Sequence, residues 1–181
     1  MPVDMADMAR SLAQKLLAQE LPRRWHHVQG VARRAAELSA DLTSSDRDLF
    51  FAAAWLHDIG YAPTLALTGF HPLDGARFLA SEEFDPLVVQ LVAHHSSAAV
   101  EADERHLLTD LAGFPEPPPE LLRRLTAADM STSPDGDPVD PRFRIREILA
   151  RYEPEHPVHR AVLRSGPDLI TTADEVAKRL R

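Results

Sequence analysis

The stretch Ala53-Ala54-Trp55-Leu56-His57-Asp58-Ile59-Gly60 decides how the rest of the chain is read. Phe50, Phe51, Ala54 and Trp55 recur at helical spacing and define a buried stripe. Extended by three or four residues, that stripe reaches His57 and Asp58, so both are expected to face the interior. Gly60 suits a helix end with a residue of positive φ. A carboxylate in that last turn meets the negative end of the helix dipole, at a cost of roughly 0.3–1 kcal/mol. Burying it without a partner costs several times more. A positive group is therefore required beside Asp58, and the adjoining imidazole points to a metal. The plainer alternative is a hydrogen-bonded His–Asp pair. Against it, six of the nine histidines fall between His26 and His95, on segments that read as separate helices, and another helix-end acid follows at Asp129.

Composition narrows the chemistry. A chain of 181 residues reads as one domain with enough length for a substantial core. The net charge of −8 argues against a nucleic-acid surface, which needs clustered Lys and Arg. There is no cysteine, so any metal must be held by imidazoles and carboxylates. Such donors suit iron, manganese, zinc, nickel or cobalt. No apolar run approaches the roughly 18 residues of a membrane span, and the N-terminal sequence lacks a signal-peptide core. A cytoplasmic protein without a membrane or nucleic-acid partner is expected, and a homodimer is compatible with the sequence.

Taken in order, Asp4–Gln19 reads as an amphipathic helix presenting Met5, Met8, Leu12 and Leu16, with Pro22 ending it. A second helix spans about Arg23 to Asp41. There His27 shares a face with Val31, Ala35 and Leu38, whereas His26 lies with Gly30, Arg33 and Glu37 on a solvent face. Thr43-Ser44-Ser45-Asp46 caps the third helix. After a loop from Tyr61 to Phe70, His71 is expected as the N-cap of a helix with Pro72 at its first position. Gly75-Ala76 would allow that helix a close neighbour. Asp85-Pro86 opens the next helix, which ends in His94-His95, and helical spacing does not choose between those two. Glu101–Glu120 reads as an irregular, proline-broken connection. Leu121–Met130 is helical and closes on Asp129. Helices are expected at Pro141–Tyr152, His156–Arg164 and Asp168–Leu180. The fold class is all-α: a metal-binding core over about 23–130 with C-terminal helices over about 141–181 packed on it, a single domain over 1–181.

The residues resemble the HD-domain superfamily of metal-dependent phosphohydrolases. The resemblance is carried by His27 four residues before Val31-Ala32, the tetrapeptide His57-Asp58-Ile59-Gly60, His71 with Gly75-Ala76, the pair His94-His95, and Asp129. It implies a compact helical bundle in which His27, His57, Asp58 and Asp129 hold one divalent transition metal ion, with His57 and Asp58 the catalytic pair. It further implies His71 and His94 or His95 as ligands of a second ion, with Asp58 bridging. Two ions about 3.5–4 Å apart acidify a shared water and stabilise both oxygens of an in-line phosphoryl displacement. Each ligand histidine should also donate its other ring N–H to an acceptor that the sequence does not identify.

The chain departs from several members. HD 5′-deoxynucleotidases carry an acid where this chain has Tyr61, and the HH-E and Gly-Tyr-Pro signature of cyclic-di-GMP phosphodiesterases is absent, since Ser96-Ser97 follow His95. The length does not suit the ppGpp-hydrolase architecture. The nearest resemblance in size and ligand set is to dinucleoside tetraphosphate hydrolases, so a phosphate-containing small molecule, nucleotide-like, is the expected substrate. Arg23 and Arg24, with Arg123 and Arg124, are candidates for phosphate binding, against the alternative of ordinary surface arginines. The Tyr61–Phe70 and Ala112–Glu120 loops are expected to shape the pocket. A di-iron oxygenase of the same superfamily, or a non-catalytic nucleotide or metal sensor, are the rival functions.

Overall fold

The computed structural model of the protein describes residues 4–179, and among these no strand occurs beyond one isolated bridge between Thr132 and Pro138. The fold is all-α. Leu180, the expected end of the last helix, lies outside the described residues, as do the outermost ends of the single-domain span.

Helix α3 (Ser44–Leu56) is the axis. Thr43 caps it, its hydroxyl oxygen accepting from the Asp46 amide at 3.1 Å. From Phe50 to Gly60 nearly every residue is buried, on all sides rather than along one stripe. A helix apolar all round belongs in the middle of a bundle. Helices α1 (Met5–Leu17), α2 (Pro22–Glu37), α5 (Pro86–His94) and α8 (Pro119–Met130) surround it. The inner face of α1 is Ala9, Ala13 and Leu17, while Met8 is exposed; the small residues let α1 approach α3 closely. Pro22 opens α2 rather than only closing α1. In α2, His27, Val31, Ala35 and Leu38 are buried and His26 is exposed, as the helical register requires.

Gly30 departs from that register. It is buried, because the loop after α8 crosses α2 there: a Cβ on Gly30 would lie 2.4 Å from the Gly136 carbonyl oxygen. Gly136 itself has φ +90, which a side chain would strain. The crossing holds the loop on α2, with Arg33 donating to the Gly136 carbonyl at 2.9 Å.

Gly60 is a second difference. It does not end α3 with a positive φ; a 3-10 turn (Ile59–Tyr61) follows instead. The glycine is required by close approach, since a Cβ there would lie 2.0 Å from the His71 carbonyl oxygen and 2.8 Å from the Gly75 amide. Helix α4 (His71–Ser81) thus begins directly against the end of α3. His71 is its first residue and not its cap. The orphan amides of the preceding turn are met instead by Asp74, whose carboxylate accepts from the Leu67 and Thr68 amides at 3.1 and 3.0 Å.

Beyond α5, capped by Asp85 as expected, the region from Glu101 is not irregular throughout. It contains most of α6 (Ala98–Glu104) and the short α7 (Leu108–Leu111) before the prolines prevail. Helix α9 (Pro141–Arg151) comes next, and the two last helices expected from the sequence form one, α10 (Pro157–Arg179), running through Pro167. Proline deprives the Leu163 carbonyl of its partner, but Leu163 lies on the exposed side, while Ala161, Leu169, Ala173 and Val176 remain buried. Continuous apolar burial against α6 and α8 outweighs one lost hydrogen bond. No described helix is long and apolar enough to cross a membrane.

Candidate metal centre

Five segments deliver side chains to one point: His27 from α2, His57 and Asp58 from the end of α3, His71 from the start of α4, His95 just beyond α5, and Asp129 from the last turn of α8. They form two groups, His27–His57–Asp129 and Asp58–His71–His95, each with its donor atoms within 4.8 Å of one another. Asp58 joins them. Its Oδ2 lies 3.5 Å from His57 Nε2 and 3.7 Å from His27 Nε2, and its Oδ1 lies 3.3 Å from His71 Nε2.

The backbone orients three of the imidazoles. Nδ1 donates to the Ser133 carbonyl in His27 (2.9 Å), to Ala54 in His57 (2.9 Å) and to Val92 in His95 (2.7 Å). A carbonyl oxygen can only accept, so each Nδ1 carries the hydrogen and each Nε2 is aimed at the centre. These are the acceptors that the sequence did not identify. All three are main-chain atoms, so no residue type announces them. His57 Nε2 is fully buried and has no hydrogen-bond partner. A buried polar atom left so costs about 1–3 kcal/mol. With lone pairs and carboxylate oxygens converging from several sides, a bound cation is the group that satisfies them together. The donor set of nitrogen and oxygen, without sulfur, fits a divalent transition metal.

Charge in the centre is strongly perturbed. Burial would raise the Asp58 pKa, but His57, Arg24, His71 and His27 hold its carboxyl well below the usual carboxylate range. Burial likewise opposes ionisation of Asp129, which His27, with Nε2 3.0 Å from its Oδ1, and the nearby His57 overcome, keeping it low. Burial drives the His71 imidazole well below its ordinary value, against the pull of Asp58. Burial and the neighbouring His57 lower His95. His71 and His95, held neutral beside anionic carboxylates, are in the protonation state that ligands need.

The structure separates the two adjacent histidines. α5 ends at His94, and His95 turns out of the helix at ψ 153. Ser96 and Ser97 follow with φ of 50 and 60, positions that cost non-glycine residues of order 1–3 kcal/mol each. His95 consequently enters the centre, while His94 turns away and its Nε2 meets the Phe114 carbonyl at 2.8 Å. The bend also brings the Ser96 hydroxyl to Asp129 Oδ2 at 2.5 Å, a contact the sequence offered no way to find.

The arginines divide as well. Arg23 pairs with Asp135 on the surface at 2.8 Å. Arg123 pairs with Glu175, and Arg124 is buried on Asp41 and the Leu38 carbonyl, so neither faces the centre. Arg24 is the positive group beside the α3 carboxylate: Nη1 donates to Asp58 Oδ2 at 2.7 Å. Its guanidinium lies over the Tyr61 ring at 3.8 Å, and Tyr61 stacks on His71 at 4.0 Å. Burial pushes the Tyr61 phenol up, so it stays protonated at neutral pH.

A cavity of about 80 Å³ opens over Asp58, His71, His95 and Asp129. Of the two loops expected to shape it, Tyr61–Phe70 contributes Tyr61 alone, and Ala112–Glu120 contributes nothing. Its outer wall is Arg144, Ile148, Arg151 and Tyr152 of the α9 segment with Val162 and Leu169 of α10. Arg24 and Arg151 also line a larger adjoining cavity of about 310 Å³ with Leu21, Pro22 and Pro134.

The fold and the site define a helical bundle with a buried histidine–carboxylate centre. Residues 24–132 match the family model described as HD domain, and the chain belongs to that family. It is 29% identical over 140 residues to a tRNA (cytidine(56)-2′-O)-methyltransferase of Picrophilus torridus, a match covering 76% of this chain and 38% of the relative. It is 30% identical over 129 residues to the protein of the same name from Thermoplasma volcanium, covering 70% of this chain and 35% of the relative. The chain thus spans less than two-fifths of the length of these curated relatives. No solved structure matches it at a significant level.

Proposed function

We propose that the chain is a metal-dependent phosphohydrolase that cleaves a phosphate ester or anhydride of a nucleotide-like small molecule. The observation that carries this reading is the unpartnered, buried His57 Nε2 in one of two adjacent ligand groups, with Asp58 of the other group 3.5 Å away. His27, His57, Asp58 and Asp129 would hold one divalent ion, and Asp58, His71 and His95 a second. Ions held there supply an acidified water and positive charge toward a phosphoryl group. The chain's own residues do the rest. Arg24 and Arg144 place fixed positive charge on the cavity, and Ile148, Val162 and Leu169 give it an apolar wall. Tyr61, held protonated, acts as a packing surface for His71 and Arg24 and not as a base. The inner cavity is too small for a nucleoside, since organic ligands occupy about 300–1,000 Å³. The adjoining cavity of about 310 Å³ reaches that range and offers arginine and proline faces to a leaving group.

The methyl transfer named in the relatives belongs to proteins more than twice the matched length, and the histidine–carboxylate centre favours hydrolysis for this chain. The deciding experiment is element-resolved metal quantification of the purified protein, followed by a nucleotide and phosphate-ester panel with each ion added back. Release of inorganic phosphate that needs a divalent ion and vanishes in Asp58→Ala is expected. Iron with oxygen consumption and no phosphate release would make the protein an oxygenase, and tight ligand binding without turnover would make it a sensor.

A further inference from the structure

Arg144 lies on α9, beyond the residues 24–132 that match the family, yet its side chain is part of the wall over the metal centre. Only 5% of the residue is exposed. A guanidinium offers five N–H donors in a planar fork and keeps its charge at any ordinary pH. Here Nη1 donates to Glu147 at 2.6 Å, whereas the buried Nε has no partner. Glu147 in turn is shared with Arg151, so it does not neutralise Arg144 alone. The guanidinium is also close enough to Asp129 to help hold that carboxyl low, which places its charge beside the candidate ligands.

A buried arginine tied by one corner, with the other edge of its fork unspent, is built to meet an anion. Nε is shut off from the cavity, so the donors left for the oxygens of a phosphate are the terminal N–H groups that Glu147 does not use. The cavity it lines has room for a phosphoryl group and little more.

We infer that Arg144 is the phosphate-gripping residue of this site, its guanidinium donating to non-bridging oxygens of the substrate's phosphoryl group above the metal centre. This rests on the phosphohydrolase reading and adds to it a residue from the C-terminal helices, outside the family core.

The test is calorimetric titration of inorganic phosphate into the metal-loaded chain of 181 residues, with bound metal quantified for every variant. Arg144→Lys keeps the charge and loses the fork; Arg144→Gln loses both. Each is expected to bind phosphate at least tenfold more weakly at unchanged metal content. Glu147→Gln removes the carboxylate that competes for the guanidinium and is expected to bind phosphate at least as tightly as the parent. Phosphate affinity within threefold of the parent in Arg144→Lys would overturn the inference, as would a tenfold loss in Glu147→Gln, which marks a purely structural pair. If Arg144→Gln does not fold, the other two variants decide. Failure to hydrolyse any ester would sink the phosphohydrolase reading and leave the phosphate-binding result standing.

Discussion

Replacing Gly60 with alanine tests how tightly the metal centre is tied to the packing of two helices. The new Cβ would lie 2.0 Å from the His71 carbonyl oxygen and 2.8 Å from the Gly75 amide, both main-chain atoms that no rotamer change can move. A carbon–oxygen contact normally sits at about 3.3–3.6 Å, so the start of α4 must retreat by more than about 1 Å. Overpacking of this kind costs about 1–3 kcal/mol. Against it stands a gain of about 0.4–1 kcal/mol from a stiffer unfolded chain, since Gly60 does not occupy positive φ. The net loss should lower the Tm by several degrees, at about 2–4 °C per kcal/mol for a chain of this size. The larger effect is on His71. Its Nε2 lies 3.3 Å from Asp58 Oδ1, and coordination tolerates only about ±0.2 Å. Gly60→Ala should therefore lose the ion shared by Asp58, His71 and His95 while the His27–His57–Asp129 group keeps its own. Metal counted per protein after dialysis, beside a thermal melt, gives the answer. A variant with the parent's metal content and Tm would show that α4 is free to move without consequence, and that His71 is not placed by this contact.

Other expectations are narrower. His95→Ala should reduce bound metal, whereas His94→Ala should leave it unchanged, because His94 Nε2 is engaged by the Phe114 carbonyl; equal losses in metal analysis would contradict the assignment. His27→Ala should lose the ion of the His27–His57–Asp129 group and phosphate release, while His26→Ala, on the exposed face, keeps both; matching losses would mean the α2 register is misread. The metal-stripped protein should lose stability as acid is added. Burial lowers the folded-state values of His71 and His95, so below about pH 6.5, where free imidazole takes up protons, the unfolded chain binds more protons than the native one. That stabilisation is complete above about pH 6.5 and is lost as pH falls toward the depressed folded values. Urea midpoints at pH 7.5 and 5.5 should show it, and His71→Gln with His95→Gln should flatten the slope. A midpoint higher at pH 5.5 in the parent would contradict the direction.

Much of this protein is legible along the chain. Helical period placed His27 inward and His26 outward, and the polar caps Thr43 and Asp85 marked where α3 and α5 begin. The absence of cysteine limited the ligands to imidazole and carboxylate. These are local properties, set by residue type and by spacing within one helix. What the tertiary structure decided came from contacts between distant segments. The positive φ values of Ser96 and Ser97 chose His95 over His94, which no spacing could do. The need for Gly60 came from the arrival of α4, and Pro167 stayed helical because the apolar face of α10 is buried on both sides of it. Charge alone makes Arg24 a candidate for a phosphate, and only the fold shows that its guanidinium also holds Asp58. The carbonyls of Ala54, Val92 and Ser133 that aim three imidazoles have no side-chain signature at all. A sequence records what each residue can donate or accept, and only packing settles which partner comes within reach.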